Sequence, residues 1–584
     1  MSRGRVGRTA TRDIVPRRTV LAALASGGGL VALAGCADLP TDGQVTSSDV
    51  VSAHGSQLVQ TAARPRDGAG PEEIVAGFLR ACVAGFSDDF ATARTFLHRA
   101  ASDAWEPTSV VRAYTGSTAP VVERDESGAV KVTVELVRSI DSSGVLTSDG
   151  AAQSGSTDGY TAFYSLATDS LGQWRIVDLP PGVLLPTGSL QTNFMATSLY
   201  FLTPDRARLV PELRWLPRGD LPTSTLVALL GGPADWLAPG VASALPREAG
   251  LAADGVVLED GTATVALDGA VAELDSQERA LAVAQLAATL GRLEGVSSVV
   301  VTADGESMGD PVPLPQPDAP VDTVIGMSAG SVVRGTSSTR RTLATVQALG
   351  TAQARHPVLG PDEAVYALSA SSLLRLRPGE DVASVIASVG AADAGEGGLL
   401  APVVDRYGWA WTAADGVLTA VGDLGQRAPL SAQWLEGREV TALDLSAESA
   451  RLVLRHRDGE GGDEHVSAAV VVRAQDGTPT GLGRPLALPQ AAGEGVTGLA
   501  WYDPVNVVVL APGRAEQEPP GVRYVQVGGA STDVAGTPGA TALTADRASG
   551  TALLTDDRGQ AWQRKGATWR VLTTEVFDLS YPLP

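Results

Sequence analysis

The chain has 584 residues and carries 44 Lys and Arg against 66 Asp and Glu, a formal charge of −22. That balance argues against nucleic acid as a partner, because phosphate backbones reward basic surfaces. The length is enough for three or four domains.

The first 35 residues run against the acidic trend. Arg3, Arg5, Arg8, Arg12, Arg17 and Arg18 precede an apolar stretch from Val20 to Leu33 that glycines 27–29 interrupt. A basic start, a short apolar core and small residues at its end describe a secretory signal. About 20 apolar residues are needed to span a bilayer, so this segment makes a poor permanent anchor. Arg17-Arg18 followed by Val20-Leu21 also loosely fits a twin-arginine signal, but Pro16 stands where Ser or Thr is usual, so both export routes stay open.

The signal ends in Leu33-Ala34-Gly35-Cys36, which resembles a bacterial lipobox. Small side chains before the cut suit a signal peptidase, and Cys36 supplies the thiol for a diacylglyceryl thioether. Two or three acyl chains, at about 0.8 kcal/mol per buried methylene, hold a protein on a bilayer stably. Cys36 is therefore the expected lipidation site, and the mature chain is expected to be lipid-anchored on the extracytoplasmic face of the plasma membrane. With Cys36 acylated, Cys82 has no partner for a disulfide. It lies in "PEEIVAGFLRACVAGF", whose apolar residues recur at helical spacing, so a buried core cysteine is expected.

Residues 36–70 are polar and glycine-rich and read as a flexible tether. From 71 to 187 the pattern is α+β. Pro71 starts a helix, Ser87 or Asp88 caps a second, and "AVKVTVELV", "GYTAFYSLA" and "QWRIVDL" read as strands. Two helices before a curved antiparallel sheet suggest an NTF2-like cone, a shape that often encloses a cavity. Trp105 is expected in its core.

From 194 to 306 the reading is α/β. "ATSLYFLTPDRARLVPELRWLP" gives two strands around a turn, and Pro222–Leu230 gives a helix stopped by two glycines and a proline. "VVLEDGTATVAL" gives a hairpin turning at Asp260-Gly261, and Ser276 is the expected cap of a long helix. The pieces "LYFLT", "LVALLGGP", "DGTATVALDG" and "VVVTADG" resemble a GerMN domain nearly end to end.

A proline-rich linker is expected over 307–330, so that proteolysis separates a two-domain N-terminal piece from the C-terminal remainder of the chain. Over 331–584, strand-rich runs repeat every 40 to 55 residues or so, as in "VTALDLSAESARLVL" and "VTGLAWYDPVNVVVL". That period describes an all-β propeller. Five units are recognisable, with room for a sixth near 331–355.

Other chemistry is sparse. "GMSAG" around Ser328 matches the hydrolase elbow, but that motif needs a strand before it and a helix after it. His456, Asp458, Asp463, Glu464 and His465 have metal-ligand chemistry, yet the stretch reads as a solvated hairpin tip. No catalytic, cofactor or metal residue is assigned, and the chain is read as a non-enzyme.

A lipobox, an NTF2-like domain, a GerMN domain and a propeller, in that order, resemble the actinobacterial LpqB lipoprotein family. The resemblance implies a plasma-membrane lipoprotein that contacts the sensor histidine kinase MtrB and modulates the MtrAB two-component system in envelope homeostasis and division. A wall-glycan binder, or an envelope enzyme with an unrecognised loop site, is the alternative.

Overall fold

The computed structural model describes residues 62–148, 159–315, 323–335, 339–389 and 398–582, apart from 254, 460, 514–517 and 549. The signal segment, Cys36 and the tether up to residue 61 lie outside the described residues. No helix among the described residues is long and apolar enough to cross a membrane.

The first domain opens on helix α1, Pro71–Asp88, with Pro71 at the first position and the Glu73 carboxylate accepting the Gly70 amide at 3.3 Å. The helix ends where Asp89 and Phe90 turn left-handed (φ 50° and 59°). A single helical turn, Ala91–Arg94, comes next, and Asp88 Oδ2 accepts the Thr92 amide at 3.0 Å. Two four-stranded sheets follow, and they are not wholly antiparallel, since Val110–Tyr114 pairs parallel with Val183–Pro186. The apolar face of α1 fills the interior with Ile74, Phe78 and Cys82, and Trp105 and Tyr164 pack beside Phe78. These aromatic rings occupy the core of the cone. Burial pushes the Cys82 thiol well above its usual range, as expected of a structural cysteine.

The second domain pairs Phe194–Leu202 with Leu209–Pro217 antiparallel. A four-stranded sheet comes next, in which Thr262–Leu267 and Ser298–Ala303 run parallel on either side of the crossover helix α2, Ser276–Leu290. The Asp260-Gly261 turn forms as read, both residues at positive φ (48° and 78°), as a two-residue hairpin requires. The α2 cap is Asp275 rather than Ser276. Its carboxylate accepts the Gln277 and Glu278 amides at 2.8 Å each.

Among the described residues, 323–582 form six antiparallel sheets, five of four or five strands and one of three. Their inner strands, Phe577–Ser580, Arg355–Leu359, Val403–Val404, Glu439–Leu445, Thr497–Trp501 and Ala540–Asp546, pack one against the next in a closed ring. Blade 1 takes Val324–Ser328, Ser331–Gly335 and Arg340–Ala344 from the start of the propeller and its inner strand from the end. This is the sixth unit. It begins inside the stretch read as linker, so that the expected 307–330 linker is shorter than its composition suggests.

The rest of that stretch is docked as well. The Val312 amide donates to Ala280 O at 3.0 Å, and Val312 and Leu314 pack on a core shared by the second domain and blades 4 and 5. That core runs from Leu199, Phe201 and Leu286 to Val453, Val470, Trp501 and Val507. Apolar surface buried this way contributes about 25 cal/mol per Å², so the two domains are held by the same force that folds each one. A proteolytic cut between Leu314 and Val324 should therefore leave the pieces associated. Gel filtration in native buffer should return one peak of unchanged size, and two native peaks would show domains that do not share a core.

Candidate functional site at the domain junction and the propeller channel

One nine-residue strand joins all three domains. "LVPELRWLP", Leu209–Pro217, is buried along its central seven residues on both faces. A strand with two buried faces reads as a nearly continuous apolar run, and here two charges interrupt it. Glu212 and Arg214, two residues apart, lie on one face and form an ion pair of 2.5 Å whose side chains are 1% and 2% exposed. The pair has further partners, although Glu212 Oε1 and Arg214 Nε have none among the described residues. Arg214 Nη1 donates to Ser143 O of the first domain, Nη2 donates to Gly232 O at 3.1 Å, and the Ala234 amide donates to Glu212 Oε2 at 3.3 Å.

The opposite face carries Trp215, which packs into the core of the first domain while its indole N–H donates to Gly528 O of the propeller at 3.0 Å. Arg451 of blade 4 reaches the same strand from outside. Its Nη1 donates to Pro211 O at 2.9 Å, its Nε pairs with Glu448 at 2.7 Å, and its guanidinium lies 4.6 Å from the Trp501 ring centroid.

A second clasp closes the junction at the turn between the strand and its partner. Asp205 accepts from Arg406 and, at 3.2 Å, from the Tyr407 hydroxyl. The guanidiniums of Arg406 and Arg473 lie 4.2 and 4.4 Å from the Tyr407 ring centroid, and Arg473 pairs with the fully buried Asp405 at 2.7 Å. Cation–π contacts strengthen when shielded from water, so these blade 3 and blade 4 side chains hold the turn by more than their hydrogen bonds.

The propeller axis holds a channel of about 430 Å³ lined by the inner strands of all six blades. Five of those strands carry an irregular register, the local kink by which a bulge re-aims side chains. Two pairs of ionisable side chains line the channel. Asp444 meets Arg547 at 2.6 Å, and burial pushes the Asp444 carboxyl up while Arg547 works against it. His356 faces Asp578 at 3.5 Å, and burial lowers the imidazole's pKa against the pull of Asp578.

The motifs singled out from sequence do not converge on either place. Ser328 ends a strand, and Ala329 and Gly330, both at positive φ, turn the chain straight back to Ser331. That is a β-hairpin, without the strand-to-helix geometry of a nucleophile elbow. His456 and His465 face each other across strands Arg451–Arg457 and Glu464–Arg473, so they flank the acidic tip rather than belong to it. Their rings stack at 5.6 Å, His456 Nε2 contacts Ser467 Oγ at 3.1 Å, and burial first of all holds its pKa down at about 4. No group of three or more His, Cys, Asp or Glu suited to a metal occurs among the described residues. The junction residues were within reach of the sequence, since two charges inside an otherwise apolar strand signal a buried pair. The channel residues carry no comparable signal.

This arrangement has relatives. Residues 64–191 match the family described as Lipoprotein LpqB, N-terminal domain, 198–309 match Sporulation and spore germination, and 330–582 match Lipoprotein LpqB beta-propeller domain. Lipoprotein LpqB of Bifidobacterium longum is 30% identical over 86% of this chain and 87% of its own length. The chain belongs to the LpqB lipoprotein family. The LpqB of Cutibacterium acnes is also 30% identical, over 55% of each chain. Among solved structures, the tandem GerMN domains of GerM from Bacillus subtilis align with 26% of this chain and 61% of that one, at 17% identity and a TM-score of 0.18, too slight a likeness to argue from. The domain order of the LpqB family is thus built here as one docked body, joined at Leu209–Pro217.

Proposed function

We propose that this LpqB-family protein is a lipid-anchored, extracytoplasmic, non-catalytic interaction protein that contacts the sensor kinase MtrB and modulates the MtrAB two-component system. The observation that carries this reading is the junction at Leu209–Pro217, whose buried pair and indole bond tie the first domain and the propeller to one strand. A docked body transmits contact at one face to the others, which suits a modulator better than a string of independent modules. Anchorage at Cys36 would confine that body: a coil as long as the stretch from Cys36 to Ala62 spans about 30 Å. Confinement raises the local concentration of partners in the same membrane, so a weak interface suffices.

Two experiments test the reading. Cys36→Ala should abolish fatty-acid labelling and leave the protein uncut or released from membranes; normal processing with continued sedimentation would refute the anchor. In gently solubilised membranes the kinase should co-purify with the wild type and be largely lost with Cys36→Ala. Absence of the kinase from both would refute the partner.

A further inference from the structure

The chain enters the first domain through a segment that is both docked and charged. The Gly68 amide donates to Gln173 Oε1 at 2.7 Å, the Ala69 amide donates to Arg66 O at 3.2 Å, and Ala62 and Ala69 pack on the domain core. Residues 62–69 thus share a groove with one face of α1, on which Glu73, Gly77, Arg80 and Ala84 follow one another at helical spacing. The groove holds about 580 Å³. Its lining includes the apolar side chains of Ile74 and Phe96, 1% and 3% exposed.

Arg64, Arg66 and Arg80 line the same groove, and all three are exposed. None of them forms an ion pair among the described residues, and Arg80 Nε donates only to Ala76 O of its own helix, at 3.1 Å. Glu73, the one acid in the lining, accepts the Gly70 amide at 3.3 Å. Outside the lining, Glu72 lies 4.0 Å from Arg124 and Asp67 is exposed. Guanidiniums suit phosphate oxygens, which they meet in a fork of parallel hydrogen bonds, and an apolar wall suits the glycerol carbons beside a phosphodiester.

We propose that this groove docks on the headgroups of anionic phospholipid. The occupant follows from where the chain leads: Ala62 is the described residue nearest Cys36 in sequence, and the stretch between them spans about 30 Å as a coil. The inference rests on the proposed anchor at Cys36 for bringing this end of the body to the bilayer. Charges farther off than about 8 Å are screened at physiological salt, so the acidity of the whole chain does not decide the contact. Each arginine near an anionic surface is worth about fivefold in partition, and Glu73 and Asp67 offset part of that gain. Contact at this groove would orient the first domain toward the membrane instead of leaving it free on its tether.

Co-sedimentation with sucrose-loaded vesicles tests it. The protein is the unacylated mature chain, residues 36–584 with Cys36→Ala, which retains every described residue. A failure there is distinct from a failure of the anchor, which fatty-acid labelling of Cys36 reads by itself. Binding to vesicles containing phosphatidylglycerol should exceed binding to phosphatidylcholine alone and weaken as salt rises. Arg64→Gln, Arg66→Gln and Arg80→Gln together should lower it at least about tenfold, with melting unchanged because the three are exposed and unpaired. The same three changed to Lys should retain it, since the surface attracts the charge. Arg247→Gln, Arg558→Gln and Arg570→Gln, exposed elsewhere, should leave it unchanged. Equal binding to phosphatidylcholine, no binding at about 0.01 M salt, or displacement by soluble glycerol phosphate at about 1 mM would overturn the proposal. So would equal losses in the two Gln triples. Loss of kinase co-purification in the groove triple, with vesicle binding intact, would assign the groove to a protein and overturn it as well.

Discussion

Truncation after Glu575 should cost the propeller its cooperative fold. The lost segment supplies the inner strand of blade 1, which pairs with Val324–Ser328, and the hydroxyl of Ser580, which donates to Pro357 O of blade 2 at 2.6 Å. It also supplies Asp578, the acceptor of the His356 amide, and the buried Val576, which packs so closely over Gly326 that a Cβ there would sit 2.4 Å from Cγ1. Burying Val576 contributes about 1.5–3 kcal/mol, and each lost hydrogen bond about 1 kcal/mol. The sum is on the order of 5 kcal/mol, comparable to the whole stability of a typical domain. The loss also leaves Val324–Ser328 with an unpaired edge, a template for aggregation. Circular dichroism should show the main melting transition lowered by about 10 °C or more, or lost. A truncated chain that melts within a degree or two of the intact one would mean that this strand does not close the propeller.

Arg451→Ala should be the most damaging point substitution at the domain junction. The side chain is 1% exposed, and its loss strands Glu448, itself 8% exposed, without its cation. It also removes the donor to Pro211 O and the cation over Trp501. Breaking a buried pair from one side costs about 3–5 kcal/mol. The double change Arg451→Met with Glu448→Leu removes both charges and should recover much of that loss, since hydrophobic replacements of buried pairs are often neutral. Urea unfolding of the two variants measures both effects. A loss below about 1 kcal/mol for Arg451→Ala would show that the pair behaves as a surface bridge.

What could be read from the sequence was local. Pro71 at a helix start, the Asp260-Gly261 turn and the apolar stripe of Ser276–Leu290 each record their structure within a few residues, and each formed. The blade pattern was equally visible, because each hairpin carries its own turn. The misreadings came from partners distant in sequence. Val312 and Leu314 look like linker residues until α2 and the shared core are placed beneath them. Val324–Ser328 looks like an isolated run until Phe577–Ser580 returns to pair with it. One misreading is local: Ser is a common cap, so Ser276 fits the role by type, but Asp275 beside it accepts the two amides. The channel was illegible, because His356, Asp444, Arg547 and Asp578 come from four blades and line one space only when the ring closes.

On the proposed reading, one docked body tethered through Cys36 engages the kinase. Photo-cross-linking in intact membranes tests it most directly, with a reactive residue placed at exposed Phe163 of the first domain or at exposed Leu424 of the propeller in otherwise full-length protein. A kinase adduct is expected from at least one of these positions, with its loss in Cys36→Ala. Absence of adducts from both positions, or adducts that persist unchanged without the anchor, would contradict it.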